Sequence, residues 1–307
     1  MYNITEIKYQ NQQDCMSLLF MHLARSLVDY CGRGAEGTVR EAVRRMGRNW
    51  GGDIRKKHVD AGVKTNLKSL YNTGLEYLED PRMYGELLEE KEEVRLWEVR
   101  TCPLADVWNK AGEGALGLWY CEEFQRGLID GYTQGKGQMN QSTFLTCPRD
   151  NHCRFSAYYR AANIDGDQHR ESFSTPGAGE VSPDSGALRD VDFAEGIRVQ
   201  FVKIYYYLLE AAEERHGGEG VCAVAAGLRR LAEELTPVMR RHAENTLNPC
   251  DEEFLKLNFP VALDTAKEEI WARYGGHDAP KLMQINLLDR LKKGLALADA
   301  AAAESVA

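Results

Sequence analysis

The sequence predicts an α+β protein with a helical bundle, a small antiparallel sheet unit that carries a cysteine metal site, and a mostly helical C-terminal half. Two observations carry this prediction. Apolar residues recur at helical spacing before residue 80 and after residue 190, whereas the intervening chain holds two short segments of alternating apolar and polar residues. The predicted domains are residues 1–162 with the cysteine cluster, a Gly-, Pro- and Ser-rich linker at 163–190, and a helical domain at 191–307.

The N-terminal helices are predicted from stripes of apolar side chains. The first stripe consists of Leu19, Leu23 and Leu27, and the second of Val39, Val43, Met46, Trp50 and Ile54. Gly32 is expected to end the first helix. The pair Gly51–Gly52 is expected to weaken the second helix, because glycine is a poor helix former. Thr65 is expected to cap a third helix.

A shift of 185 residues superimposes part of the C-terminal half on the N-terminal helices. It places the second stripe on Val224, Leu228, Leu231, Leu235 and Met239. Outside the stripe, Arg44-Arg45 meets Arg229-Arg230 and Gly32 meets Gly217. Because matching arginines and glycines do not follow from helical periodicity alone, we interpret 191–307 as a partial repeat of 16–80.

The sequence of residues 92–161 predicts the sheet unit. The segment EEVRLWEVRTC is rich in β-branched and aromatic residues, which favours a strand. A short helix is expected after Cys102, and a longer helix is expected to run through Tyr132. The last two strands flank the segment LTCPRDNHCRF, so a hairpin would bring Cys147 and Cys153 to the same end of the sheet.

Four cysteines of this unit predict a metal site. Cys102, Cys121, Cys147 and Cys153 have the spacing C-x18-C-x25-C-x5-C. Four thiolates bind a structural zinc ion tetrahedrally, and such an ion can contribute on the order of 10 kcal/mol to folding. Two alternatives stay open: four ordinary buried cysteines, or a disulfide between Cys147 and Cys153.

The stretch CEEFQRGLIDGY…LTCPRDNHCRF, residues 121–155, is similar to the cysteine-bearing end of 4-vinyl reductase type domains, which occur in small-molecule sensors of aromatic compounds. The resemblance implies a structural zinc ion bound by Cys121, Cys147 and Cys153. It also implies a fourth ligand upstream, where Cys102 stands, with Glu98 as its substitute.

A second resemblance covers roughly residues 35–160. The blocks EAVRRMGRNWGGDIRKKHVDAG, EVRTCPLADVWNKAG, YCEEF and CRF look like the L-2-amino-thiazoline-4-carboxylic acid hydrolase family. This resemblance implies a hydrolase that opens a small cyclic amidine- or amide-like substrate, such as a thiazoline carboxylate, to give an N-carbamoyl amino acid. The helical second half of this chain departs from the usual length of the family.

Opening such a ring requires attack on an sp2 carbon, a proton donor for the leaving atom and a cation for the substrate carboxylate. The sequence leaves the catalytic residues unassigned. Arg55 or Arg126 can bind a carboxylate, although arginines on polar helix faces need no such role. The candidates for proton transfer, for each of which a solvated surface position is the ordinary interpretation, are Glu122, Glu123, Asp130, His58 and His152.

The alternative function is a zinc-stapled module that binds or senses a small molecule without catalysis. Its pocket would draw on Trp97, Trp108, Trp119, Tyr120 and Phe124. A third class is a scaffolding protein, in which a long helix over 280–303 forms a homodimer. The hydrolase and the binding module predict a small-molecule partner, and the scaffolding protein predicts a second copy of the chain as its partner.

Composition excludes other classes of partner. The net charge of −9 and a pI near 5.4 argue against nucleic-acid binding, which needs clustered Lys and Arg. The sequence has no apolar run of membrane-spanning length and no secretory leader, so we expect a cytoplasmic protein with reduced thiols and no membrane partner.

Overall fold

The computed structural model describes residues 4–73, 80–173, 193–243 and 251–296, with side chains from residue 10 to 72, 80 to 173, 196 to 243 and 251 to 296. The helices are α1 (Ile4–Cys31), α2 (Ala35–Asp60), α3 (Leu67–Thr73), α4 (Pro103–Lys110), α5 (Gly114–Tyr132), α6 (Gly166–Ser172), α7 (Phe193–His216), α8 (Gly218–Ala243), α9 (Glu252–Asn258) and α10 (Ala279–Met283). The strands are β1 (Tyr84–Glu90), β2 (Val94–Thr101), β3 (Gln138–Thr143) and β4 (Cys153–Tyr158). The predicted α+β class is confirmed in this form: mostly helix with one small antiparallel sheet.

The chain forms two compact units. The sheet-bearing unit contains residues 40–196, and the helical unit combines residues 1–39 with 197–307. Helix α1 belongs with the C-terminal helices because it packs along α8. The predicted domains at 1–162 and 191–307 have other bounds, since they follow the order of the chain and not its packing. No described helix has the length and apolar character needed to cross a membrane.

The sheet has the strand order β1-β2-β4-β3, with antiparallel neighbours throughout. The predicted strands correspond to β2, β3 and β4, and α4 and α5 lie where the short and the longer helix were expected, with α5 ending at Tyr132. Strand β1 was not predicted, because most of its residues are exposed on both faces and therefore do not alternate. Val99 lies opposite Cys153, which brings β4 beside the end of β2.

Helices α2 and α5 approach each other backbone to backbone. Four glycines, two at a four-residue spacing on each helix, form the crossing: Gly47, Gly51, Gly127 and Gly131. A Cβ atom on Gly131 would lie 2.0 Å from the carbonyl oxygen of Arg48. Helix α2 continues through Gly51–Gly52 without a break, and the weakening of the helix at this pair stays a prediction. Gly51 is required there for close approach, which offsets its low helix propensity.

Apart from Val39, the apolar stripe on α2 lies in the sheet-bearing unit, whereas its counterpart on α8 lies in the helical unit. Both stripes that the 185-residue shift relates are buried. Each helix pair is joined through a glycine with a left-handed backbone, Gly32 at φ 58° and Gly217 at φ 56°. These conformations suit glycine in both joints. The internal duplication itself stays a prediction.

Three local predictions are corrected. Asn66 caps α3 in place of Thr65, because its Oδ1 accepts the Ser69 N–H at 3.0 Å. The predicted linker contains α6, whose N-terminus Asp165 caps. The rest of that linker, 174–190, lies outside the described residues. The predicted C-terminal helix begins at Ala279, contains a π-helical turn at Gln284–Leu288, and is described to residue 296.

Candidate active site

The four predicted metal ligands come from four different positions around one end of the sheet. Cys102 follows β2 and stands at the N-cap of α4, Cys121 lies on α5, and Cys153 opens β4. Cys147 lies in the turn before β4, where its N–H donates to the Phe144 carbonyl oxygen at 2.9 Å. The fold therefore brings to one end of the sheet thiols that lie up to 51 positions apart in the sequence, from Cys102 to Cys153.

Three of these sulfurs interact electrostatically. Burial raises the pKa of Cys121 well above its usual range, and ionised Cys153 or Cys102 would raise that pKa further. Burial raises the pKa of Cys153 to about 12, against the opposing effect of the Leu145 N–H, which donates to its Sγ at 3.2 Å. Cys147 is a further neighbour of Cys153. The protein by itself thus keeps these groups as neutral thiols at neutral pH.

Cys102 has a more mixed environment. Burial raises the pKa of its thiol, whereas the backbone N–H groups of Ala105 and Leu104 lower it. Among the charges nearby, Asp80 raises this pKa and Arg82 lowers it. The net shift is upward, so Cys102 is also a thiol at neutral pH and a weak nucleophile.

Whether a zinc ion fits this cluster depends on the type and the positions of the donor atoms. Thiols are a preferred ligand type for zinc. Within the ranges that the structure describes, however, no group of three or more His, Cys, Asp or Glu side chains is arranged to hold a metal ion. The described side chains therefore do not form a ligand set, and no step of the mechanism below uses a metal.

A cavity of about 420 Å³ lies beside Cys102. Its walls come from the end of β2, the start of α4 and the segment that precedes Cys147. The lining residues are Arg82, Arg100, Thr101, Cys102, Pro103, Ala105, Asp106, Asn109 and Leu145. We call this space the Cys102 cavity. It combines two guanidinium groups with one carboxylate and one thiol.

Both arginines of the Cys102 cavity are held by buried carboxylates. Arg82 pairs with Asp80, with 2.7 Å from Nη2 to Oδ2 and 3.0 Å from Nε to Oδ1. Arg100 pairs with Glu98, with 2.5 Å between Nη2 and Oε2. Asp80 is 3% exposed and Glu98 6%, so the partners are fixed. A guanidinium has five N–H donors, which is more than one carboxylate accepts.

Glu98 lies in an ion-pair cluster. Besides Arg100, its Oε1 lies 3.6 Å from His152 Nε2 and 3.5 Å from Arg154 Nη1. The sequence offered Glu98 as a substitute zinc ligand and His152 as a proton-transfer group. The structure places both in this cluster, outside the lining of the Cys102 cavity.

The predicted acids of α5 have structural partners. Glu122 and Glu123 pair with Arg40 and Arg44 of α2, and Asp130 pairs with Arg48 of α2 in the same way. Glu123 is buried, with its Oε2 2.6 Å from Arg44 Nη2. These pairs reinforce the glycine crossing of α2 and α5, and none of the three acids lines the Cys102 cavity.

Arg55 and His58 lie in a buried polar network. Arg55 donates to Thr65 Oγ1 at 2.9 Å, to the Tyr132 carbonyl oxygen at 3.2 Å and to Glu171 Oε2 at 2.6 Å. His58 is fully buried, and its Nδ1 lies 2.7 Å from the Tyr132 hydroxyl. The network fastens α6 to the preceding helices. Neither side chain reaches the Cys102 cavity, and Arg126 is exposed on α5.

The aromatic residues proposed for a sensor pocket pack mostly against one another. Trp108 contacts Tyr120 at 5.4 Å between ring centroids, and Tyr120 stacks on Phe124 at 5.4 Å. These three rings are buried, and Trp97 stacks on Phe155 at 4.9 Å. They form core and do not line the Cys102 cavity.

Sequence reasoning missed Arg82, Arg100 and Asp106. A signal was present for two of them. Glu98 and Arg100 are two positions apart on a strand and so share a face. Asp106 stands in the first turn of the helix that begins after Cys102. Arg82 precedes a strand that was not predicted, and its approach to the cavity depends on tertiary structure alone.

Comparison with known proteins gives one result. Residues 9–145, which are less than half of the chain, match the family described as L-2-amino-thiazoline-4-carboxylic acid hydrolase. No curated protein and no solved structure matches the chain. The similarity to 4-vinyl reductase type domains gains no support from these comparisons. Every residue that lines the Cys102 cavity lies within the matched segment. The match supports a relationship to this family for the segment 9–145.

Proposed function

We propose that the protein is a hydrolase that opens a small cyclic substrate carrying a carboxylate, and that the Cys102 cavity is its active site. One observation carries the proposal: two guanidinium groups, one carboxylate and a thiol line a cavity that falls wholly within the segment 9–145. The family description names 2-amino-thiazoline-4-carboxylic acid, and we propose this compound or a close analogue as the substrate.

Arg82 and Arg100 bind the substrate carboxylate in this proposal. A guanidinium matches a carboxylate in two parallel hydrogen bonds. Since Asp80 and Glu98 already hold the two side chains, little conformational entropy is lost when the substrate binds. These arginines take the role that the sequence offered to Arg55 or Arg126.

Water is the nucleophile in this proposal, because burial keeps Cys102 as a thiol. Asp106 takes a proton from the water, whose oxygen bonds to the sp2 carbon between nitrogen and sulfur. The ring nitrogen takes up the second proton of the water as the new C–O bond becomes a carbonyl, the carbon–sulfur bond breaks, and the sulfur takes up the proton from Asp106. The product is an N-carbamoyl amino acid with a free thiol. Asp106 suits this role because it is the carboxylate on the cavity wall.

Turnover tests the proposal directly. The protein is incubated with 2-amino-thiazoline-4-carboxylate and with hydantoin and lactam acids, and mass spectrometry follows the gain of one water. We expect ring opening of at least the thiazoline acid. We expect Arg82→Gln to lower kcat/KM by about 100-fold, mainly through KM.

The matched control is Arg126→Gln, which changes an exposed arginine outside the Cys102 cavity and should leave kcat/KM unchanged. Tight binding of all three acids without product would contradict catalysis and favour the binding module. Equal kcat/KM for Arg82→Gln and the wild type would contradict the placement of the active site.

The zinc ion stays a prediction. What supports it is that ionising Cys102 or Cys153 would raise the pKa of Cys121, so these thiols lie near one another and a bound cation would relieve the cost of ionising them. Elemental analysis of protein purified without chelator tests it. One zinc per chain, lost in Cys121→Ser, is the expected result, and metal-free folded protein would refute it.

A further inference from the structure

Strand β1 forms one edge of the sheet. In the described part of the chain, β1 is hydrogen-bonded to β2 alone, so the N–H and C=O groups along its other side face away from the sheet. Such an edge can pair with a further strand, and proteins that avoid this pairing place Pro or Lys there. The sequence of β1, YGELLEE, contains neither residue.

Strand β1 also exposes apolar side chains. Tyr84 is 58% exposed, Leu87 52% and Leu88 48%, and these are three of the six large apolar side chains that are exposed among the described residues. Strand β3, at the other edge of the sheet, has the sequence QMNQST, and its one apolar side chain, Met139, is buried. The two edges therefore differ, and β1 is the edge whose apolar side chains would gain from being covered.

Leu87 lies at the end of an apolar row that crosses the sheet. It stands opposite Trp97 of β2, and Trp97 stands opposite Phe155 of β4, on whose ring it stacks at 4.9 Å. Exposure rises outward along this row, from 8% at Phe155 to 52% at Leu87. A strand added beyond β1 would place a side chain beside Leu87 and continue the row.

The acidic residues of β1 have cationic partners within the same sheet or its turn. Glu86 pairs with Arg100 and Glu90 pairs with Arg95, both on β2. Glu89 pairs with the lysine that follows β1. The strand therefore presents little unbalanced negative charge to a neighbour.

A second copy of β1 is complementary to this edge. Two copies can pair antiparallel with Leu87 opposite Leu87. Counting outward along the strand, this register sets Glu86 opposite Leu88, Glu89 opposite Gly85 and Glu90 opposite Tyr84 of the second copy. No glutamate of β1 then faces a glutamate, which avoids the cost of like charges in directly opposed positions. The pairing has two-fold symmetry and so closes at two chains.

We propose that two copies of the chain associate through β1, antiparallel and with Leu87 at the centre, so that two four-stranded sheets join into one sheet of eight strands. Tyr84, Leu87 and Leu88 become covered in this dimer. The interface consists mainly of one short strand from each copy, so the dimer dissociates on dilution. The association is independent of the proposed hydrolase activity.

Sedimentation velocity of the full chain over a series of concentrations tests the proposal. We expect the mass to rise from the 34.6 kDa of one chain toward twice that value. Leu87→Lys sets two like charges opposite each other and should raise the concentration of half-dimerisation by at least about tenfold. The matched control is Ile285→Lys, which changes an apolar residue of the helical unit with the same 52% exposure and should dimerise as the wild type does.

Cysteine variants test the register. In the proposed pairing, Leu87→Cys brings two thiols opposite each other, so oxidation by copper–phenanthroline in air should link this variant into a disulfide dimer. Tyr84→Cys, at a position opposite Glu90 of the second copy, should link more slowly. The wild type, with eight cysteines of its own, gives the background.

Circular dichroism establishes that each variant is folded. A wild type that stays monomeric at every concentration would overturn the inference. So would a dimer that Ile285→Lys disrupts and Leu87→Lys does not, because that result would place the interface in the helical unit. Equal rates of linking for the two cysteine variants would contradict the pairing centred on Leu87.

Discussion

The two compact units bring helices together by different means. In the sheet-bearing unit, α2 and α5 touch through glycine backbones and are joined by ion pairs. In the helical unit, α1 and α8 make one such close approach, at Gly227, whose Cβ would lie 2.8 Å from the His22 carbonyl oxygen, and they bury large apolar side chains such as Leu23. Two ion pairs, His22–Glu234 and Asp29–Arg230, also join these helices. Backbone contact leaves no adjustable atoms at the interface, whereas side chains can repack.

This difference indicates which unit holds its helices in more exactly fixed positions. Helix α5 carries Cys121 and packs on β3 of the sheet, whose neighbouring strand β4 begins at Cys153. A fixed crossing therefore positions the elements around the Cys102 cavity. That cavity lies in the sheet-bearing unit. We expect the sheet-bearing unit to be the more sensitive to small changes in side-chain volume and charge.

The largest expected effect is on the stability of the glycine crossing. Gly131→Ala would bring a Cβ to 2.0 Å from Arg48 O, so the helices must separate, and we expect a loss of about 3 kcal/mol in the free energy of unfolding. Urea denaturation measures it.

Gly52→Ala is the matched control for this prediction. It lies on α2, the other helix of the crossing, with nothing within 4 Å of its Cβ position, and the substitution should stabilise the protein by up to about 1 kcal/mol. If both variants change stability equally, close backbone contact does not hold the crossing.

The next effect concerns catalysis in the sheet-bearing unit. Asp106→Asn should lower kcat by about 100-fold because the amide cannot accept the proton from water. Steady-state kinetics with the thiazoline acid measure it. Asp60→Asn is a matched control, since both Asp106 and Asp60 form exposed pairs with a lysine four positions away. An unchanged kcat in Asp106→Asn would remove this residue from the mechanism.

A smaller effect is expected in the buried network. Arg55→Leu removes hydrogen bonds to Thr65, the Tyr132 carbonyl oxygen and Glu171, of which Thr65 and Tyr132 are buried. We expect a loss of about 2 kcal/mol in the free energy of unfolding. Lys56→Met, which changes an exposed neighbour, should stay within about 0.5 kcal/mol. Equal losses for both variants would mean that the network contributes no more than surface charge.

The smallest effect belongs to the helical unit. Hydrogen bonding to His22, at 2.7 Å, lowers the pKa of Glu234, so its ionised form is favoured in the folded state. The resulting stability is present above the glutamate pKa of the unfolded chain and is lost as the pH falls through the folded pKa.

Because Glu234 is half-exposed, we expect less than about 1 kcal/mol. Glu234→Gln should therefore be less stable than the wild type at pH 7, and the gap should close in acid. Denaturation at a series of pH values measures it, and a gap that widens in acid would reverse the sign of this argument.

Much of the fold followed from the sequence. Helical periodicity located α1, α2 and α5, and alternation located β3 and β4, because these patterns record which side of an element faces the core. A high content of β-branched and aromatic residues located β2. Strand β1 escaped because it has no buried face. Helix α6 escaped because its buried residues, Gln168 and Ser172, are polar and make hydrogen bonds within the network.

Only some residues of the candidate site could be predicted from the sequence. Local pattern identified the cysteines and the turn at 145–155, since turn chemistry is encoded by neighbours in the chain. It could not identify Arg82 and Arg100 as a pair. These side chains come from separate segments and are positioned by Asp80 and Glu98. Conversely, the sequence offered Arg55 for carboxylate binding and His58 for proton transfer. In the structure both are buried in a polar network, where they have structural partners.

The sequence by itself determined the class of secondary structure, the ends of α1 and α5, and the resemblance to a hydrolase family over part of the chain. Only the tertiary structure decided that α1 joins the C-terminal helices, that glycines set the approach of α2 to α5, and that two arginines line the Cys102 cavity. The physical reason is the distance along the sequence over which each effect acts. Propensity and periodicity act over a few residues, whereas burial, ion pairing and backbone contact join residues that are distant in the chain.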